Sequence, residues 1–248
     1  MTLAAEHLTL TRGRRAVVEG ITTALEPGRI TAIVGPNGAG KSSLLLALAG
    51  LLEPASGSVR LDGAPLTGLA PRARAQAIGY LPQTPDIAWD VSVAALVALG
   101  RLPWRDRGAQ EIDAALAALD LGALRDRPVS RLSGGEQARV LLARVLAGTP
   151  RWILADEPLA ALDLAHQLTL ITYLKACAKE CGQGVVVVLH DLALAMNHAD
   201  HVLVLHEGHL VAEGPPRIAL APQGIARVWG VDAHWLGEPG RMALVSEA

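Results

Sequence analysis

The sequence predicts an α/β fold built on a largely parallel sheet, and three observations predict it. Short β-branched runs alternate with Ala- and Leu-rich stretches, the pattern of strands joined by helices. One run, Ile30–Val34, closes on Gly35 and leads into the helix-like stretch 44–48. The longest apolar stretch, 44–52, has nine residues including Gly50. A membrane-spanning helix needs about 20, so the 51% hydrophobic content and mean hydropathy of +0.32 describe a buried core.

In chain order, residues 8–10 and 58–61, flanked by Gly and Pro, read as strands of a small antiparallel region. Ile30–Val34 is the first buried strand. From 91 to 147 β-branched clustering fades, and Ile112, Ala115, Leu116 and Leu119 fall at i, i+3, i+4 and i+7, one helix face. Leu81-Pro82-Gln83, followed by Pro85, is the entry to this helical insert and Pro150 its exit. Residues 152–155, 185–189 and 202–205 are further buried strands. Strand and buried helix are hard to separate in such short runs; Val and Ile tilt the choice.

Composition narrows the function. A net charge of −2 and a pI near 6.4 leave no basic surface for nucleic acid. Two cysteines cannot form a secreted disulfide framework, and the N-terminus lacks the basic and apolar regions of a signal peptide. A soluble cytosolic protein is expected. The absence of Phe and the three lysines among 22 basic residues reflect compositional bias.

Residues 35–42, Gly-Pro-Asn-Gly-Ala-Gly-Lys-Ser, fit G-x-x-x-x-G-K-[ST] between a strand and a helix. Glycines let backbone N–H groups wrap a polyphosphate, and the helix N-terminus adds a positive dipole end. Lys41 would reach the β- and γ-phosphates and Ser42 would ligate Mg²⁺. A Gly-rich turn with a surface lysine is the plainer alternative; the three fixed positions and both flanks favour the phosphate site.

Two further segments refine this. Residues 152–157 are an apolar strand ending in Asp156 and Glu157. Asp156 suits a water-mediated hold on Mg²⁺, and Glu157 could polarise a water aimed at the γ-phosphate, which makes hydrolysis the natural reaction. Alone, the two acids would read as first-turn helix acids before Pro158. Leu132-Ser133-Gly134-Gly135-Glu136 opens a helix to about Ala147 and offers a second anion-binding N-terminus. One chain rarely needs two for one ATP, so the second would serve ATP on another subunit; as a bare pentapeptide it would be a helix cap.

Together, residues 35–42, Gln83 in Leu-Pro-Gln, 132–136, 153–158, Ala161-Leu162-Asp163 and His190 resemble the ordered motif set of ABC transporter ATP-binding subunits. The resemblance implies a P-loop NTPase (RecA-like) core with a small antiparallel β region and a helical subdomain. Residues 1–83 and 151–248 would be the core and 84–150 the subdomain. It implies two ATP molecules held in a head-to-tail dimer, each between one chain's Gly35, Pro36, Asn37, Gly38, Ala39, Gly40, Lys41, Ser42 and Ser43 and the other's Ser133, Gly134, Gly135 and Glu136. Glu157 would be the general base, His190 would contact the γ-phosphate, Gln83 would touch Mg²⁺ or the attacking water, and Asp163 would reach across the dimer.

Leu81-Pro82-Gln83 and segments 98–104, 162–167 and 228–235 are similar to importers of iron chelates, haem and cobalamin. That likeness implies a separate membrane permease, a periplasmic or surface binding protein and a peripheral place on the cytoplasmic face. A non-transport ABC ATPase, such as one in iron–sulfur assembly, is the alternative. Three departures stand out. Leu159-Ala160 replaces the usual Thr-Ser, Ala155 replaces a larger apolar residue, and Arg12 stands where an aromatic would stack on adenine. Arg12 could stack through its planar guanidinium or be a solvated charge of a basic turn. Cys177 and Cys181 read as reduced structural cysteines, and His198, His201, His206 and His209, spread over a helix, a turn and a strand, share no face.

Overall fold

The computed structural model describes residues 2–83, 90–160 and 162–246. The elements run β1 (Leu3–Arg12), β2 (Arg15–Leu25), β3 (Ile30–Val34), α1 (Lys41–Leu48), β4 (Ser56–Leu61), β5 (Ala64–Pro65), α2 (Pro71–Ala77) and β6 (Ile78–Leu81). The helical insert follows with α3 (Val93–Ala98), α4 (Ala109–Ala118) and α5 (Gly134–Ala147). The chain returns through β7 (Trp152–Asp156), α6 (Leu164–Cys181), β8 (Gly184–Val188), α7 (Leu192–His198), β9 (His201–His206) and β10 (His209–Gly214). It closes with α8 (Pro216–Ala219), α9 (Pro222–Trp229) and the hairpin β11 (Ala233–Glu238) and β12 (Arg241–Ser246).

Among the described residues, one sheet of six strands has the order β10-β9-β3-β8-β7-β6, parallel except at β9–β10. Side chains alternate across it. Ile33, Leu154, Val186 and Leu203 join a core with α1 and the four-stranded antiparallel sheet β2-β1-β4-β5. Ala32, Ile153, Val187 and Val202 join a second core with α5, α6 and α7. Covered on both faces, β3, β7 and β8 are buried at every position, which is why they read as unbroken apolar runs. The insert face forms as its spacing predicts: Ile112, Ala115, Leu116 and Leu119 are all buried.

Several boundaries differ from the sequence reading. β2 was absent from it and β1 extends well beyond residues 8–10, because the β1–β2 pairing shifts register between Ala5 and Leu8 and again before Leu10 and Thr11, which breaks the alternation. β8 begins at Gly184 and ends at Val188, one residue earlier than 185–189. Gly184 belongs to the strand because it pairs with Trp152, and a Cβ there would lie 2.3 Å from the Trp152 ring. Pro85 lies outside the described residues. The histidines are arranged differently as well: His201 and His206 both belong to β9, and His206 pairs in register with His209 of β10.

Gly35, Glu157 and His190 follow the adjacent strands β3, β7 and β8 directly or one residue on. Three chain reversals thus meet at the carboxyl ends of the strands, where open α/β sheets carry their ligand crevice.

Candidate functional site

A cleft of about 760 Å³ opens at this point, lined by Arg12, Val17, residues 37–43, Gln83, Glu157 and His190. The loop after β3 reaches its shape through glycine. Gly35 has φ 152° and a Cβ there would fall 2.1 Å from the Leu205 carbonyl oxygen; Gly40, at φ 99°, caps α1 and would strike the Val17 carbonyl. Lys41 is buried, and its Nζ donates to the Gly35 oxygen at 2.8 Å and the Pro36 oxygen at 3.0 Å. Burial lowers the Lys41 ammonium's pKa below the ordinary lysine range, and Glu157 and Asp156 oppose that shift.

Ser42 Oγ donates to Asp156 Oδ1 at 3.1 Å. Asp156 is buried, and burial raises its carboxyl above the usual range; Ser42 pulls it back down, and the Glu157 charge raises it further. Two hard oxygen donors therefore converge beside the loop. Among the described residues no group of three or more His, Cys, Asp or Glu is placed to hold a metal. An ion that keeps most of its waters and takes phosphate oxygens, as Mg²⁺ does, fits such a donor set.

Glu157 turns the chain out of β7 with φ 50°, a left-handed conformation that costs a non-glycine residue about 1 kcal/mol. Its carboxylate meets both neighbouring reversals. Oε2 accepts from Gln83 Nε2 at 2.6 Å, and Oε1 lies 2.5 Å from His190 Nε2. The backbone after His190 is fixed by Asp191, whose Oδ1 caps α7 by accepting from the N–H of Ala193 and Leu194.

The predicted residues divide into two groups. Arg12, Asn37 to Ser43, Gln83, Glu157 and His190 meet in the cleft, and Gly35, Pro36 and Asp156 bond to its walls. Ser133, Gly134, Gly135, Glu136 and Asp163 do not line it. Ser133 Oγ accepts from Glu136 N at 3.3 Å, and Glu136 accepts from Ser133 N at 2.7 Å, a complete capping box on α5. The N–H groups of Gly134 and Gly135, the first two of the helix, lie outside that pairing. Asp163 caps α6, accepting from His166 N at 2.9 Å, and His166 Nδ1 stands 2.8 Å from the same oxygen; these bonds hold its carboxyl below the ordinary range. Ala161 lies outside the described residues. Val17 lines the cleft and escaped the sequence reading, since nothing distinguishes it from other strand residues. Among the described residues, no Phe, Tyr or Trp lines the cleft.

The family model described as ABC transporter matches residues 18–160, which include the loop, the capped pentapeptide and the acidic strand end. This chain belongs to the ABC transporter family. Curated relatives carry the name hemin import ATP-binding protein HmuV. The one from Bordetella avium is 39% identical over 250 residues, covering 96% of each chain. That from Nocardia farcinica is 46% identical, covering 91% of this chain and 80% of the relative. Among solved structures, a metal-chelate type ABC transporter in an inward-facing conformation superposes with a TM-score of 0.84 at 26% identity, over 100% of this chain and 98% of that one. The ATP-binding cassette MJ0796, solved as a dimer in a post-hydrolysis state with ADP and Pi, gives 0.77 at 27% identity, covering 87% and 99%. The P-loop NTPase fold expected for this ABC cassette is therefore the one it has. No helix among its described residues is long and apolar enough to cross a membrane.

Proposed function

We propose that this ABC cassette is the ATP-hydrolysing subunit of an importer for haem or a related iron chelate. It would work on the cytoplasmic face of the membrane beneath a separate permease fed by a substrate-binding protein. The observation that carries the reading is the set of haem-import relatives aligned over nearly the whole chain. Residues 1–83 and 151–248 act as the nucleotide core and 84–150 as the helical subdomain.

Within the site, the backbone of 35–43 cradles the phosphates and the burial of Lys41 concentrates its charge on them. Ser42 and Asp156, with Gln83, would hold Mg²⁺, which when bound neutralises phosphate charge. Glu157 accepts the proton of the attacking water, aligned by the contacts of its two oxygens with Gln83 and His190. His190 donates toward the γ-phosphate, and Arg12 and Val17 flank the base. The second half of the site comes from another copy. The N–H groups of Gly134 and Gly135, outside the capping pair, and the Ser133 hydroxyl face the γ-phosphate of the partner's ATP, and Asp163 meets the partner across the interface.

Growth tests the transport reading. Deleting the gene in its source organism is expected to abolish growth on haem as sole iron source. The wild-type gene restores growth and a Lys41→Ala copy does not. Undiminished growth of the deletion strain on haem, with loss on another iron chelate or cobalamin, would reassign the cargo. Loss of none would favour a non-transport cassette.

A further inference from the structure

Away from the nucleotide cleft, a lysine and a histidine join two helices. Lys175 of α6 has its Nζ 2.9 Å from Nδ1 of His198, the last residue of α7. Both residues are half-buried, so the pair is reached from solvent. An ammonium has donors only, so with Lys175 charged Nδ1 is the acceptor and the ring carries its proton on Nε2. The chain has three lysines, and they are placed differently. Lys41 serves the phosphate loop and donates to the carbonyl oxygens of Gly35 and Pro36, which take up no proton at neutral pH. Lys179, one turn beyond Lys175 on the same helix, is exposed. Lys175 is the lysine with an imidazole in hydrogen-bond contact.

The surroundings favour the free amine. Burial lowers the pKa of Lys175 below the ordinary lysine range and the Lys179 charge lowers it further, while Asp200 opposes both. The Asp200 carboxylate is also engaged at the start of β3, where Oδ2 accepts from Ile30 N at 2.9 Å. Burial lowers the pKa of His198 as well, and the Lys175 charge adds to that, so the ring is uncharged at neutral pH. A lysine that is partly desolvated and beside another cation is activated as a nucleophile. A neutral imidazole within hydrogen-bond reach is placed to take the proton it sheds.

We propose that Lys175 is a site of covalent acylation by a small acyl phosphate, with His198 as the proton acceptor. The free amine attacks the acyl carbon; the N–C bond forms, the C–O bond to phosphate breaks, and phosphate leaves with the electron pair. The surplus proton on nitrogen passes to His198 Nδ1 and from there to water. The product is an uncharged Nε-acyl-lysine and inorganic phosphate. An anionic donor suits the place, because Lys179 sets a second positive charge at i+4 on the same helix face. Acylation removes the Lys175 charge and leaves an amide N–H in the contact that joins α6 to α7. Neither Lys175 nor His198 lines the nucleotide cleft, so the site does not depend on the ATPase reading.

The test incubates the full chain with acetyl phosphate near neutral pH, with ADP and Mg²⁺ saturating the cleft to cover Lys41. Peptide mass spectrometry follows acetylation of each lysine against time. Lys175 should be acetylated several-fold faster than Lys179 in the folded chain, and the two should react alike in urea. Equal or slower labelling of Lys175 in the folded chain would overturn the site, and so would a preference that persists in urea, since it would not come from the fold. This comparison needs only the wild-type chain. His198→Gln keeps an acceptor oxygen for the amine but takes up no proton at neutral pH. It should slow Lys175 several-fold and leave Lys179 unchanged; an unaltered Lys175 rate would overturn the role of His198.

Discussion

Replacing Glu157 by glutamine separates chemistry from binding. In the wild-type chain both carboxylate oxygens are engaged, one by Gln83 and one by His190. The amide keeps size and one acceptor but presents an NH₂ to the other neighbour, so one contact becomes donor against donor unless the His190 tautomer changes. Losing one hydrogen bond to a charged group costs about 1.5–3 kcal/mol. Part returns, because the Glu157 charge raises the pKa of buried Asp156, an unfavourable interaction that the amide removes. A net loss of about 1 kcal/mol is expected, or about 2–4 °C in thermal midpoint for a chain of this size. The effect on rate is far larger. An amide cannot take the proton from water at neutral pH, and general-base catalysis contributes typically 10²–10⁴-fold. Phosphate release should fall by that factor while ATP affinity, set by the loop and Lys41, stays within about threefold. Turnover near wild type would refute the assignment and move the base elsewhere, His190 first. A collapse of ATP affinity alongside turnover would show that Glu157 shapes the cleft.

Three further outcomes follow from the same geometry. Arg12→Ala should weaken ATP and ADP binding several-fold and leave inorganic triphosphate unaffected, with Arg12→Tyr restoring it, since a guanidinium over a ring at a partly exposed site contributes about 0.5–1 kcal/mol; equal affinities by calorimetry would make Arg12 a solvated charge. Asp156→Asn should abolish hydrolysis yet raise the thermal midpoint by about 2–4 °C at neutral pH. Burial raises the folded-state carboxyl above its unfolded value, so the penalty of the charge is absent below the unfolded pKa and complete once pH has risen through the folded one, and the variant's advantage should vanish in acid. Gly184→Ala places a Cβ 2.3 Å from the Trp152 ring and should cost about 1–3 kcal/mol in denaturant unfolding with the site's chemistry intact.

Residues 35–42 were legible as a phosphate loop because backbone N–H groups and a helix start do the binding, and both are contiguous in sequence. The acidic strand end and the capped helix start were legible for the same reason. The contacts that join them were not. Gln83 and Glu157 stand 74 residues apart and meet only because β6, β7 and β8 lie side by side. β2 was hidden by register shifts that spoil a two-residue period. A cavity of about 220 Å³ between the helical insert and the core left no trace in sequence, since its walls come from β6, the turn after α4, α5, α6 and the turn after β7, each of which reads as ordinary core.

In the proposed arrangement each ATP is held between the loop of one copy and the helix start at Ser133 of another. Light scattering of Glu157→Gln with ATP reads this arrangement out. The chain of 25.9 kDa should become a dimer of twice that mass, carrying two ATP, and should stay monomeric without nucleotide. Adding Gly134→Asp should abolish the dimer: a Cβ at Gly134 meets nothing within 4 Å of it in the single chain, while a carboxylate there would face the partner's phosphates. A monomer that binds ATP with Glu157→Gln alone, or a dimer indifferent to Gly134→Asp, would show that ATP is not shared between two copies in this way.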